Sequence, residues 1–358
     1  MTNKKTQLPK EGIYFEMTDD QYFALPAFSR SFSETVLFDL QEARHILDNP
    51  IEATPAMDLG TAIHSAILEP KKFRELYVKK PHASDCEYEG KKILYTVEDL
   101  KPLLALYGIK KSTKNKLQLL TELRPFIDPD LYVVWDDVMM SFEFETAAKG
   151  KKILEFRDFE TIRGIQKNIN EDNGAKQIFQ GGYPEVTIVW KDPVTGVLCK
   201  CRLDYLRSDA IGEVKSFAVK NKKSTLEKVV NREIVVNRYN LQFAVYFDAL
   251  EIIIDRINAG HAEIFGNVDG GYLKELLSSN IKKSYMVFTR NQAPYQVQIR
   301  AIEKKAGGTG SINGYFSVAQ DLWREALGIY SQALLSGVWR GPNFSVLQDE
   351  DVPGVMYQ

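Results

Sequence analysis

The stretch from Glu185 to Ser216 constrains the fold of this chain more than any other part of it. Its sequence, EVTIVWKDPVTGVLCKCRLDYLRSDAIGEVKS, predicts three short strands joined by tight turns, with Glu185 beginning the first strand. The first turn falls at Asp-Pro-Val-Thr-Gly, where proline and glycine suit a hairpin, and the second falls at the polar Arg-Ser-Asp-Ala. We therefore expect two consecutive hairpins that form part of a sheet.

Two carboxylates and a lysine lie on matching faces of the second and third strands. Because side chains alternate between the faces of a strand, Asp204 shares a face with Lys200 and Arg202, and Glu213 shares one with Lys215. The turn can then bring Asp204, Glu213 and Lys215 to one edge of the sheet. Such carboxylates can hold Mg²⁺ for phosphodiester hydrolysis, and a lysine can position the attacking water. The same spacing also occurs in ordinary surface hairpins.

Two predicted helices add candidate residues. The segment 237–251 predicts a helix on which Gln242 and Tyr246, four residues apart, share a face. The segment 57–70 predicts a helix with an apolar stripe, and His64 lies inside that stripe. Taken alone, these patterns also fit a buried Tyr246 beside a solvated Gln242, and a His64 that is an ordinary core residue.

Together these residues resemble the PD-(D/E)XK nuclease superfamily, in its RecE/RecB-like, phage-type exodeoxyribonuclease branch. The resemblance covers residues 25–75 and 135–345, and the serine-rich start of 25–50 also looks like the opening of RecE-like nuclease domains. The matching positions, in the order that the family has them, are His64, Glu185 with Asp204, Glu213-x-Lys215 and Gln242-x3-Tyr246. Many relatives have aspartate at the position of Glu213, and both types occur in the superfamily.

The resemblance implies an α/β fold with a restriction-endonuclease-like core, in which a central mixed sheet is flanked by helices, and a small helical insertion. It implies Mg²⁺ as the cofactor, with Mn²⁺ as a substitute. The implied metal-site residues are His64, Glu185, Asp204, Glu213 and the backbone carbonyl of Val214. The implied catalytic set is Asp204, Glu213, Lys215, Gln242 and Tyr246. In that set Lys215 would orient the attacking water, and Gln242 and Tyr246 would hold the DNA strand.

The region 95–127 predicts two short helices joined by Gly-Ile-Lys-Lys-Ser. We expect the first helix to start near Asp99, because this places Pro102 in its first turn. The apolar positions expected to line the two helices are Leu100, Leu103, Leu104 and Tyr107 in the first and Leu117, Leu120 and Leu123 in the second. The pattern resembles a SAP-like DNA-binding motif and equally fits a plain helical hairpin.

Several lysines are candidates for contacts with DNA phosphates. The SAP-like resemblance implies such contacts for Lys110, Lys111, Lys114 and Lys116. A second group, Lys220, Lys222 and Lys223, directly follows the strand of Glu213 and Lys215. The net charge of −2 does not itself indicate nucleic-acid binding, but local charge decides phosphate contacts.

The predicted organisation has five parts. They are an N-terminal arm (1–24), a helical part of the nuclease domain carrying His64 (25–80), the SAP-like insertion (90–130), the nuclease core (135–345) and a mobile tail (346–358). Residues 78–92 show no periodicity and predict a linker. The glycine-rich residues 306–315 lack the Gly-Lys-Ser/Thr ending of a P-loop and predict a flexible loop.

Composition agrees with a soluble intracellular protein, and the resemblance implies the cytoplasm of a bacterium or of a phage-infected host cell. No apolar run is long enough to span a bilayer, and the polar N-terminus lacks the apolar core of a signal peptide. We therefore expect no membrane partner. Three cysteines give no disulfide framework, and they exclude the four-cysteine iron–sulfur cluster of some nucleases in the superfamily.

The resemblance implies a Mg²⁺-dependent exonuclease that degrades one strand of linear double-stranded DNA from its ends, in the 5′ to 3′ direction. Such an enzyme would serve phage-type recombination beside a single-strand annealing protein, as a homo-oligomeric ring. Two alternatives stay open, an endonuclease of the same fold (structure-specific or restriction-type) and a non-catalytic DNA-binding protein. A different hydrolase class is disfavoured, because the sequence has no Gly-x-Ser-x-Gly elbow and no close His/Cys zinc spacing.

Overall fold

The computed structural model describes most of the chain as two compact units. The described residues are 9–49, 55–88, 90–111, 113–219, 223–281, 283–303 and 311–340. The first unit comprises residues 1–58 and 167–358, and the second comprises residues 59–166. Of the predicted features, Lys220, Lys222 and the tail 346–358 lie outside the described residues.

Helices and strands are numbered in chain order. The strands of the described residues are β1 (Gly12–Tyr14), β2 (Tyr77–Lys79), β3 (Lys92–Leu94), β4 (Tyr132–Val134), β5 (Lys152–Leu154), β6 (Gly182–Lys191), β7 (Leu198–Arg207), β8 (Ile211–Phe217), β9 (Glu263–Phe265), β10 (Lys283–Arg290) and β11 (Val297–Glu303). The helices are α1 (Asp19–Ala24), α2 (Arg30–Phe38), α3 (Leu40–Asp48), α4 (Pro55–Leu68), α5 (Pro70–Leu76), α6 (Val97–Leu106), α7 (Lys116–Leu123), α8 (Trp135–Ala148), α9 (Phe156–Glu171), α10 (Asn173–Ile178), α11 (Leu226–Val236), α12 (Tyr239–Asn258), α13 (Gly270–Ser278) and α14 (Ser311–Ser336). None of these helices is long and apolar enough to cross a membrane.

A seven-stranded mixed sheet forms the centre of the first unit, in the order β11-β10-β8-β7-β6-β1-β9. The three predicted strands are β6, β7 and β8, which pair antiparallel as consecutive hairpins. The first turn closes because the Asp192 carboxylate accepts the N–H groups of Val194 and Thr195, and Gly196 takes a positive φ of 70°. β10 then pairs parallel with β8. The predicted central mixed sheet is confirmed.

Helix α12 is the main helix of the first core. Its residues 240–250 are all buried, because the helix contacts β6 and β7 and also packs against α14. Trp190 of β6, Phe243 and Phe247 of α12, and Trp323 of α14 are among the largest fully buried side chains. The predicted helix over 237–251 is confirmed, and its burial fixes the position of every side chain that it turns toward the sheet.

The second unit has an apolar core of its own. The buried residues of this core are Leu94, Leu100, Leu103, Leu104, Leu119, Leu120, Leu123 and Val134. Helices α6 and α7 are the two helices predicted in this region, and the parallel strands β3 and β4 flank them in the sequence. Helix α6 begins at Val97 rather than near Asp99, because Thr96 and Asp99 form a capping box, and Pro102 lies inside the helix.

Three other local predictions are wrong. Tyr107, at the end of α6, and Leu117, in α7, are exposed. On α7, Leu119 occupies the core position predicted for Leu117, because the start of the helix at Lys116 sets which face turns inward. The predicted linker over 78–92 contributes to β2 and β3, each of which gains a parallel partner from distant sequence. The predicted loop over 306–315 overlaps helix α14, which begins at Ser311, while residues 306–310 lie outside the described residues.

Candidate active site

Strands β7 and β8 separate where the two acidic residues lie. Their ladder consists of the pairs Tyr205 with Gly212 and Leu206 with Ile211. Beyond it, the Asp204 carboxylate accepts the Val214 N–H at 2.8 Å, and the Glu213 carboxylate accepts the Asp204 N–H at 3.3 Å. Carboxylates thus replace backbone carbonyls between the strands, which satisfies both N–H groups and holds the acidic groups next to each other.

Lys215 and Gln242 both bind the same oxygen of Glu213. The Lys215 ammonium donates to Glu213 Oε2 at 2.9 Å, as their shared strand face predicted. Gln242 Nε2 donates to that oxygen at 2.9 Å and to the Tyr246 hydroxyl at 2.7 Å. Tyr246 in turn donates to the carbonyl of Arg202 at 2.7 Å. Both Gln242 and Tyr246 are buried, so this face of α12 supports the Glu213 carboxylate from the core side.

Glu185 lies directly opposite Asp204 on the neighbouring strand. The ladder between β6 and β7 pairs Pro184 with Tyr205 and Val186 with Leu203, and it is interrupted between these pairs at Glu185 and Asp204. Glu185 has a positive φ of 51°, which is unusual for a residue with a side chain. Carboxylate oxygens of Glu185 and Asp204 lie within 4.8 Å of each other. Strained backbone of this kind persists where the surrounding structure enforces it, and it is concentrated at functional sites.

Burial and charge shift the pKa values of the three central groups. Burial, and then the nearby Asp204, raise the pKa of Glu213 to about 7. Burial also raises the pKa of Asp204, although Lys215 acts against this shift. Burial alone would lower the pKa of Lys215, but Glu213 and Asp204 outweigh it and raise that pKa to about 12. The lysine therefore stays charged, while the two acids compete for one counter-charge.

The donor set suits a hard divalent cation. Glu185 and Asp204 offer carboxylate oxygens in reach of one ion, and oxygen ligands are those that Mg²⁺ and Mn²⁺ prefer. Val214, whose carbonyl was the predicted backbone ligand, lies in β8 between Glu213 and Lys215. His64 lies on α4, half-buried beside the fully buried Ala62 and Ile63.

Sequence reasoning missed two residues of this site. The Arg202 guanidinium lies 3.8 Å from a Glu185 oxygen, and the ring of Tyr239 lies 5.1 Å from the Lys215 ammonium. Arg202 was recognised only as sharing a strand face with Asp204. Tyr239 precedes Gln242 by three residues, a spacing that puts both on one helical face and could have identified it.

The candidate DNA-binding lysines have different surroundings. Lys110 and Lys111 are exposed in the turn between α6 and α7. Lys114 pairs with Glu122 at 2.6 Å, and Lys116 pairs with Asp136. Lys223 is exposed shortly before α11. Lys110 and Lys111 are thus exposed, whereas Lys114 and Lys116, just before α7 and at its start, are held in ion pairs.

Of three comparisons with known proteins, the match to a family model is the one that identifies the family. A comparison with the curated proteins finds no match. A solved structure from Eubacterium rectale, described as a candidate exonuclease, is 12% identical with a TM-score of 0.43 over 88% of this chain and 87% of that one. The model of the PDDEXK-like domain of unknown function (DUF3799) matches residues 30–264, which include every residue of the carboxylate site. The chain therefore belongs to this family of PDDEXK-like domains and has the fold of the PD-(D/E)XK nucleases.

Proposed function

We propose that this protein is a metal-dependent deoxyribonuclease that degrades one strand of linear double-stranded DNA from its ends. The observation that carries the proposal is the arrangement of Asp204, Glu213 and Lys215, where β7 and β8 separate around two buried carboxylates and a charged lysine. A buried pair of acids is costly to a fold that does not use it. A divalent cation would offset that cost.

Each residue of the site has a proposed role. Glu185, Asp204 and Glu213, with the Val214 carbonyl and His64, are proposed to hold Mg²⁺ or Mn²⁺. When bound, the ion would clamp the phosphodiester and lower the pKa of the attacking water. One N–H of the Lys215 ammonium is used by Glu213 and the ring of Tyr239 covers another side, so an N–H remains to orient that water. Gln242 and Tyr246 are buried and keep Glu213 in place, so we propose that they act on the DNA strand through this carboxylate rather than by direct contact.

The finer assignment follows the RecE-like branch of the superfamily. We propose 5′ to 3′ polarity, a homo-oligomeric ring on double-stranded DNA ends, and a cytoplasmic role in phage-type recombination beside a single-strand annealing protein. The family resemblance in the order of His64, Asp204, Glu213, Lys215 and Gln242 supports this assignment. The SAP-like α6–α7 unit, with its own apolar core, is proposed to add duplex contacts through its turn lysines.

Digestion of end-labelled linear duplexes tests activity, metal requirement and direction together. Duplexes with and without a 5′-phosphate are incubated with Mg²⁺ or with EDTA, beside closed circular DNA of the same sequence. We expect Mg²⁺-dependent release of label from the 5′ end and an intact circle. Rapid nicking of the circle would instead assign an endonuclease, and release from the 3′ end would reverse the polarity.

The lysine gives a matched pair of variants for this assay. Lys215→Ala is expected to lower the cleavage rate by 100-fold or more, on the order of 3 kcal/mol of transition-state stabilisation. Lys274→Ala removes an exposed lysine on α13 and is expected to cleave as the wild type does. Equal rates for the two variants would rule out the proposed site, and binding without cleavage by the wild type would identify a non-catalytic DNA-binding protein.

A further inference from the structure

Arg202 lies on the same face of β7 as Asp204, and its guanidinium is almost completely enclosed. The side chain is 9% exposed. It donates to Thr187 Oγ1 at 3.0 Å, to Asp19 Oδ1 at 2.6 Å, and to the carbonyls of Met17 and Thr18 at 3.0 and 3.1 Å. One arginine thereby joins the segment that leads into α1 to the strands of the carboxylate site.

The donors of this guanidinium can be counted. Arginine carries five N–H groups in a rigid fork. Nε uses its single N–H on Thr187, Nη2 uses both of its groups on backbone carbonyls, and Nη1 uses one on Asp19. Nη1, which has one N–H group left, lies 3.8 Å from Glu185 Oε2. The ring of Tyr22, 4.3 Å from the guanidinium carbon, closes one face of the group. The fork is therefore fixed in one orientation, with Nη1 within ion-pair distance of Glu185.

The N-terminal side of this contact is itself well fixed. Thr18 caps α1 through a capping box with Gln21, and its carbonyl accepts both Arg202 and the first helical N–H, that of Tyr22. Strand β1, which precedes this segment, is an internal strand of the sheet. Arg202 is thus held from a rigid part of the fold and can restrain a neighbour.

Three features of Glu185 bear on the orientation of its carboxylate. Its backbone is strained at a φ of 51°, it lies where the β6–β7 ladder is interrupted, and it faces the like charge of Asp204 within 4.8 Å. A glutamate side chain also has three rotatable bonds, and ordering it costs about 1–2 kcal/mol. A guanidinium beside Glu185 reduces both the repulsion between the two carboxylates and the rotational freedom of the glutamate side chain.

We propose that Arg202 is the positioning residue for Glu185, holding this carboxylate in place for the divalent cation from an anchor on α1. The inference rests on the proposed function only for the presence of the cation. Because Asp19 neutralises the charge of Arg202, the group acts through orientation more than through net charge. Lysine keeps the charge but lacks the fork, so Arg202→Lys removes the orientation while leaving the charge.

Mn²⁺ binding to the full-length protein, followed by electron paramagnetic resonance without DNA, tests this role. Arg202→Lys is expected to raise the Kd for Mn²⁺ about 10-fold, as loss of a group that orients a metal ligand does. Glu185→Gln is expected to weaken binding too, and Arg202→Lys added to Glu185→Gln is expected to have no further effect. Asp19→Asn, which keeps an oxygen acceptor for Arg202 and removes only the negative charge, is expected to change the Kd less than twofold, because the orientation of the guanidinium is retained. Thermal unfolding in EDTA checks that each variant is folded.

The outcomes separate this inference from the nuclease assignment. An unchanged Kd for Arg202→Lys, an equal loss in the Glu185→Gln background, or an equal loss for Asp19→Asn would each overturn the positioning role. A wild type that binds Mn²⁺ through Glu185 and Arg202 and yet cleaves no DNA would overturn the proposed function and support the inference. Cleavage that depends on Glu185 but not on Arg202 would support the proposed function and overturn the positioning role of Arg202.

Discussion

The buried Glu213 carboxylate should make the stability of the metal-free protein fall with rising pH. The side chain is fully buried, and burial together with Asp204 raises its pKa to about 7, against an ordinary value of 4.5. Because the folded pKa is the higher one, the folded protein holds this proton more tightly than the unfolded chain does. The stabilising contribution is therefore present below pH 4.5 and is lost as the pH rises to about 7.

The size of this pH dependence follows from the shift in the pKa of Glu213. Each pH unit inside this window changes the free energy of unfolding by about 1.4 kcal/mol, so the part between pH 5 and 7 is about 3 kcal/mol. Lys215 adds nothing to this slope, because its pKa is raised from 10.5 to about 12 and its contribution is fully present below pH 10.5. Burial raises the pKa of Asp204 in the same direction as that of Glu213.

Glu213→Gln removes the titration and keeps the shape of the side chain. We expect the difference in unfolding free energy between this variant and the wild type to grow in favour of the variant by about 3 kcal/mol from pH 5 to pH 8. The assay is chemical denaturation in EDTA, followed by tryptophan fluorescence, to which Trp190 and Trp323, buried in the same unit, contribute. Glu325→Gln, which removes an exposed carboxylate from α14, is the matched control and should show no such change. A difference that is equal at both pH values would refute the reasoning.

Three further outcomes are expected. Gln242→Leu leaves a buried oxygen of Glu213 with one donor fewer, so it should cost about 1–3 kcal/mol of stability and lower kcat; unchanged denaturation and cleavage would contradict this. Glutamine at both Lys110 and Lys111 should weaken duplex binding and reduce the slope of log Kd against log salt concentration by about two, measured by fluorescence anisotropy across salt concentrations; an unchanged slope would place the duplex elsewhere. Leu119→Ala should cost about 2–5 kcal/mol within the second unit, so that hydrogen exchange speeds up in α6 and α7 while the seven-stranded sheet stays protected.

The sequence determined the elements that carry the site, because their signals are local. Alternation and turn residues predicted β6, β7 and β8, and helical spacing predicted α12 with Gln242 and Tyr246 on one face. The faces of Glu213 and Lys215 followed from strand periodicity, and their contact followed from the faces. The errors arose where a local signal was weak or absent. The short strands β2 and β3 exist only because distant segments pair with them. Helix α6 begins earlier than predicted because the capping box of Thr96 and Asp99 sets its start, and Pro102 then lies inside the helix.

Tertiary structure alone decided how the carboxylates are held. The separation of β7 from β8, which turns Asp204 and Glu213 into acceptors for each other's strands, depends on register and twist that no short segment encodes. The strained φ of Glu185 and the burial that raises the pKa of Glu213 likewise depend on surroundings assembled from the whole unit. Arg202 contacts residues more than 180 positions away in the sequence, so its connection to α1 could not be inferred from spacing. Sequence patterns thus identified the chemical groups of the site, whereas long-range packing set the orientation and the protonation of those groups.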